Sequence, residues 1–169
     1  TIKSIQEDFK KNLPNADWVV YESVNNENLY DGIELAFSKR LQPLYRLEKA
    51  QIIVSLGSDF LGVDDNNIYH TRKFAQNRNI VDENSTMNRL YVAESSISST
   101  GSSADHRLNV PQYEMENLLA ELAYELKQLG LRIEAKKVKS SNNLWVKAAA
   151  KDLFDGRGES IIIGGSSLS

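Results

Sequence analysis

The residues of this chain best suited to chemistry are carboxylates, serines and glycines that follow short apolar runs. Gly57-Ser58-Asp59-Phe60 comes directly after the run 51–56, Glu94 through Asp105 follows 89–93, and Gly164-Gly165-Ser166 follows 159–163. Glu22-Ser23 stands in the same relation to 18–21. Small residues in such turns let backbone N–H groups close on a phosphate. Ser58, Ser95, Ser96, Ser98, Thr100 and Ser102 add hydroxyl donors. The same residue types serve ordinary strand–helix turns. Neither G-x-G-x-x-G nor a P-loop lysine accompanies them, so plain turns are the simpler reading and an inherited ligand crevice the sharper one.

Other candidates are weaker. His70 and His106 are far apart and lack metal-pair spacing. His106, in Ala104-Asp105-His106-Arg107-Leu108, suits a structural hydrogen bond to Asp105 or the backbone better than catalysis. Asp64-Asp65 reads as a solvated turn, since the DxDxDG calcium pattern is absent. Glu114 and Glu116 suit the positive end of a helix. Asn84-Ser85-Thr86 matches a glycosylation sequon, and Lys136, Lys137 and Lys139 form a short basic stretch expected to be solvated. No cysteine is present, which excludes disulfides, thiolate cluster ligands and cysteine nucleophiles within these residues.

The elements that must position these residues alternate. Ile2, Ile5, Phe9 and Leu13 recur at helical spacing before Pro14. A β-prone run at 18–21 reads as a strand. A helix capped by Asn26 follows, with Leu29, Ile33, Ala36 and Phe37 on its apolar face. The run 51–56 lacks polar alternation, as a strand buried on both faces does. A helix containing Ile68, Arg72 and Ala75 leads to a third strand at 89–93. A serine-rich loop, 95–103, precedes a short strand at 106–110. The clearest helix covers 111–129, with Met115, Leu118, Leu119, Leu122, Leu126 and Leu129 as its stripe, Pro111 at its start and Gly130 at its stop. Asn143 caps a helix over 144–154, and a last strand covers 159–163.

This alternation predicts a doubly wound α/β domain: a mainly parallel sheet of about four to five strands, helices on both faces, residues 1–169 forming one domain. A chain of 169 residues, 41% hydrophobic and 25% charged, supports such a core. A net charge of −3 argues against nucleic acid as a partner. No apolar run approaches the ~20 residues of a membrane span. Starting at Thr1 and ending just after a strand-like run, the chain is expected to be a fragment of a larger subunit, with flanking domains and any export signal outside it.

Residues in the middle of the chain resemble the molybdopterin-oxidoreductase-like family. Residues 50–62 are similar to its A-x-x-I-x-x-L-x-x-D-F-L-G segment, and 87–95 with 100–108 to its M-N-R-L-Y-V-x-E-S…T-G-x-x-A-D-H-R-L segment. Ala150-Lys151-Asp152-Leu153 and 158–165 fit the same group. Within it, the chain most resembles the large iron–sulfur subunits of alternative complex III, bacterial quinol:electron-acceptor oxidoreductases. The resemblance implies a Rossmann-like domain of a molybdoenzyme-like half without molybdenum, iron–sulfur clusters only in other parts of the parent, and partners among the remaining domains and other respiratory subunits. It places the parent complex at a membrane, on its periplasmic face.

Departures from active members bear on the cofactor. Such members often carry G-x-N where this chain has Gly57-Ser58-Asp59, and D-P-R where it has Glu94-Ser95-Ser96. Thr100-Gly101-Ser102-Ser103-Ala104-Asp105 nearly keeps their T-A-x-x-A-D. Pro111-Gln112-Tyr113-Glu114 replaces the P-G-T-D whose aspartate reads guanine, and Gln112 and Tyr113 are expected to crowd the ligand. Asp59 and Glu94 put two carboxylates where a pyrophosphate would lie. Like charges at ~4 Å repel by ~1 kcal/mol in water and several-fold more near a protein surface. Arg89 and Arg107 are possible counter-charges. The expectation is a non-catalytic structural domain that binds no cofactor, with Gly57, Ser58, Asp59, Glu94, Ser95, Thr100, Gly101 and Asp105 as remnants of the crevice. The alternative is the molybdopterin-guanine-dinucleotide-binding domain of an active molybdenum oxidoreductase; a stand-alone nucleotide-binding module is a third.

Overall fold

A computed structural model describes residues 1–21, 25–83, 85–136, 143–166 and 168. Four strands form one all-parallel sheet: β1 (Ile52–Leu56), β2 (Arg89–Glu94), β3 (His106–Asn109) and β4 (Ser160–Gly164), in the order β3-β2-β1-β4. Val54 stands level with Tyr91 on one side and Ile162 on the other. The central strands are buried almost throughout, while β3 and β4 are mostly open to solvent. This is why 51–56 and 89–93 lack polar alternation: both of their faces are covered.

Helices cover the sheet on both sides, as the doubly wound reading requires. On one face Val54, Leu56, Tyr91 and Ala93 pack with α5 (Met115–Gln128) and α6 (Leu144–Asp155). On the other, Ile53, Leu90, Val92 and Ile163 pack with Phe60, with Phe74 of α3 (Asn67–Gln76) and with Leu47 and Ala50 around a 3-10 turn, Leu47–Lys49. The chain leaves β1 towards β2 and later returns past it to β4. The sheet order therefore reverses between β1 and β4, and the carboxyl ends of those two strands mark the switch point where open α/β sheets bind ligands.

Local signals hold where side chains meet backbone. The Asn143 side chain accepts from the Trp145 N–H at 2.9 Å and starts α6. Gly130, at φ 104°, stops α5. In α5, Met115, Leu118, Leu122 and Leu126 are buried, while Leu119 and Leu129 lie at the rim.

Two expectations need correction. Residues 18–21 form no strand and stand outside the sheet, with Val19, Val20 and Tyr21 exposed. Helices α1 (Ile2–Asn12) and α2 (Glu27–Phe37) form as expected but bury no residue; the apolar side of α2 lines a recess with Ile162 and Ile163 of β4. Helix α3 contains Ile68, Arg72 and Ala75 as expected and turns His70 and Phe74 inward, with Ile68 exposed.

Candidate functional site

The loops after β1 and β2 form a recess of about 250 Å3, lined by Gly57, Ser58, Asp59, Val63, Glu94, Ser95, Ser96, Ser98 and Gln112. Sequence reasoning therefore brings most of its candidates together. Asp105 is the exception. It stands just before β3, where its carboxylate accepts from the Leu90 N–H at 2.7 Å and pairs with Arg78, at the amino end of the sheet. It keeps no place in the crevice. Glu22-Ser23, Asn84 of the sequon, and Lys137 and Lys139 lie outside the described residues; Lys136 is exposed.

Both carboxylates at the strand ends are bonded within the protein, Asp59 across to the loop after β2 and Glu94 to its own loop and to β3. Oδ1 of Asp59 accepts from the N–H and the hydroxyl of Thr100, each at 2.8 Å, and Oδ2 accepts from the Val63 N–H at 3.1 Å. Thr100 Oγ1 in turn accepts from the Leu61 N–H at 3.0 Å. Glu94, 5% exposed, accepts from the Ser98 hydroxyl at 2.6 Å and from Arg107 Nε at 2.5 Å. Ser98 then caps α4 (Ser99–Ser102), a short helix within the loop expected from the serines, by accepting from the Gly101 N–H at 3.0 Å. The two N–H groups that would greet a phosphate at this turn, those of Thr100 and Gly101, already have acceptors. One is the anion Asp59 itself, so the protein supplies its own occupant.

Gly101 explains why glycine is needed there. A Cβ at this position would fall inside the Glu94 carboxylate. At the switch point the closure is by backbone. A Cβ on Gly165 would fall on the Gly57 carbonyl, and the Gly165 N–H donates to the Leu56 carbonyl at 2.9 Å. Loops that would part around a dinucleotide instead touch each other.

The counter-charges divide. Arg107 turns to Glu94, so that carboxylate is paired. Arg89 opens β2 at the opposite end of the sheet and pairs with Asp152 at 2.5 Å, where the Tyr91 hydroxyl also donates at 2.7 Å. Burial, then the bond to Asp152, push the Tyr91 phenol up to about 12. Obstruction and self-pairing, more than bare repulsion between Asp59 and Glu94, characterise the recess. Gln112 lines it, but Tyr113 is 80% exposed and crowds nothing.

Ser58 gives its hydroxyl to Asp64 at 2.6 Å, so Asp64 is a loop-holding acceptor rather than only a solvated turn residue. His106 stacks on Tyr91 with ring centres 4.6 Å apart, and its carbonyl accepts from Trp145 Nε1 at 3.0 Å. Sequence reasoning overlooked Arg78, which joins Asp105 to Asn88, and Asp152. No local motif announces either, since each partner lies ten or more residues away. Among the described residues no group of three or more His, Asp or Glu side chains is arranged to hold a metal, and no helix is long and apolar enough to cross a membrane. Neither a protein-family model nor any curated protein matches the chain.

Proposed function

We propose that this chain is a non-catalytic structural domain of a molybdopterin-oxidoreductase-like subunit, one that keeps the α/β frame of a cofactor-binding domain and has given up the cofactor. The supporting observation is the inward turn of Asp59 and Glu94. A pyrophosphate would have to compete with the Asp59 carboxylate for the Thr100 N–H and with the Ser98 hydroxyl for the Gly101 N–H. Size points the same way. Pockets for drug-sized ligands span roughly 300–1,000 Å3; a recess of about 250 Å3 falls below that range, and a pterin guanine dinucleotide is larger than a typical drug.

The resemblance supplies the setting: an iron–sulfur subunit of a respiratory quinol:electron-acceptor oxidoreductase, held at the periplasmic side of a membrane by other subunits. In that setting the domain packages the electron-carrying part and offers docking surface. The exposed apolar residues Val19, Val20, Tyr21, Leu35 and Phe37 fit a surface that neighbouring domains cover.

Calorimetric titration of the chain with GDP and with molybdopterin guanine dinucleotide tests the reading. The expected result is no heat beyond dilution at ligand concentrations up to about 1 mM, a level at which even binding worth ~4 kcal/mol registers. Saturable binding of either ligand in the micromolar range overturns it in favour of the cofactor-binding alternative.

A further inference from the structure

We propose that His70 is a proton-operated latch, which ties Tyr45, and through it α1 and α2, to the body of the domain and lets go in mild acid. The inference rests on the fold alone and is independent of the functional reading above.

His70 lies on the inward side of α3 and is 1% exposed. Its Nε2 accepts from the Tyr45 N–H at 3.2 Å. The Tyr45 ring stacks on the imidazole with centres 4.9 Å apart, and Tyr69 meets it edge-on at 5.8 Å. A nitrogen that accepts a hydrogen bond carries no hydrogen, so the ring is neutral and its one N–H is on Nδ1. Nδ1 has no partner among the described residues. A second proton must therefore go to Nε2, where it would face the Tyr45 N–H. Donor would meet donor, and the only hydrogen bond from the imidazole to the 43–47 segment would be lost among the described residues.

The charged surroundings decide where this happens. From the loop between β1 and α3, Asp64 and Asp65 share with His70 the wall of a cavity of about 40 Å3, room for a water molecule. From the 3-10 turn comes Glu48, engaged with Arg46 at 3.2 Å and Lys73 at 3.8 Å. Lys73 and Tyr69 belong to α3 itself, and Tyr45 supplies a neutral phenol. Burial disfavours the imidazolium, Asp64 favours it, and burial wins, so His70 titrates below the ordinary imidazole range. The unfolded chain then takes up the proton first. The stability contributed by neutral His70 is complete above about pH 6.5, the ordinary value, and is lost as the pH falls from there through the folded value.

Leu47 is itself fully buried and its carbonyl accepts from Asn77 Nδ2 at 3.3 Å, so the latch acts on Tyr45 and the chain ahead of it. Neither α1 nor α2 buries a residue, and α2 reaches the body through contacts such as Asn28 Nδ2 to the Leu168 carbonyl at 3.4 Å. Release would part α2 from the outer edge of β4, with which it lines an apolar recess of about 340 Å3.

Amide hydrogen exchange on the full chain reads the latch at its own bond. Protection of the Tyr45 amide, corrected for the intrinsic pH dependence of exchange, is expected to fall about tenfold or more between pH 7.5 and pH 5, while Ile53 and Val92 keep theirs. In His70→Gln, whose amide oxygen accepts without titrating, the Tyr45 profile is expected to be flat. An unchanged Tyr45 protection in the native chain, or the same fall in His70→Gln, overturns the proposal. Should that variant not fold, long-range proton–nitrogen NMR on the native chain decides: a neutral ring with hydrogen on Nδ1 at pH 7.5 supports the latch, and hydrogen on Nε2 refutes it.

Discussion

Glu94 and Gly101 form the tightest pairing in the recess, and its energetics are testable by a double-mutant cycle. Gly101→Ala pushes a methyl into the Glu94 carboxylate, and overpacking of this kind costs about 1–3 kcal/mol. Glu94→Ala leaves Arg107 without its partner and Ser98 without its acceptor, and removing one member of a largely buried pair costs about 3 kcal/mol. In the Glu94→Ala background the added methyl has room, so Gly101→Ala should then cost little. Urea midpoints of the four chains read the coupling. Strict additivity would mean that the carboxylate and the glycine are not in contact. Two further carboxyls, Asp105 and Asp152, set the acid limb. Burial raises both, but the guanidinium of Arg78 with the Leu90 N–H, and the Tyr91 hydroxyl with Arg89, hold them below the usual range. Their contribution is complete above about pH 4 and lost as the pH falls through the folded values. Stability measured against pH should drop there in the native chain, and less steeply in Asp152→Asn.

Among the elements, α3 shows most sharply how burial divides one helix. Phe74 packs edge-to-face on Phe60 at 6.2 Å and His70 lies beneath Tyr45, while Ile68 is exposed. Phe74→Ala should cost about 3–5 kcal/mol in thermal or urea unfolding, whereas Ile68→Ala, at a site 85% exposed, should stay within about 0.5 kcal/mol. The reverse ranking would put Ile68, not Phe74, in the core. The same contrast explains what was legible beforehand. Strands β1 and β2 show themselves because burial on both sides leaves a largely apolar run, and α5 and α6 because glycine and asparagine at their ends act within a turn or two. Residues 18–21 have strand composition, but composition does not bring them to an edge of the sheet, and they join neither β3 nor β4. The grouping of Gly57, Ser58, Asp59, Glu94 and Ser95 followed from strand order. The direction in which Asp59 and Glu94 turn did not, because their partners Thr100 and Arg107 are 41 and 13 residues away.

At the scale of the whole molecule, a four-stranded parallel sheet keeps the geometry that in other α/β domains opens a crevice at the carboxyl ends of the strands. Here that geometry is used inwardly. Backbone contact between Gly57 and Gly165 closes the switch point, and carboxylates from β2 and from the loop after β1 occupy the neighbouring donors. The core on each face depends on none of this chemistry, so the frame persists without a ligand. Val20 and Phe37 before residue 44 and Ile162 on β4 are among the apolar residues left exposed.

The Thr100 and Gly101 amides offer the most direct view of whether the donors are spoken for. A proton–nitrogen NMR titration of the full chain with inorganic pyrophosphate should leave both resonances in place, because Asp59 and Ser98 already accept from them. Saturable shifts of these two amides at submillimolar pyrophosphate, on the order of Kd 0.1 mM, would show the slot open to an outside anion and contradict the account.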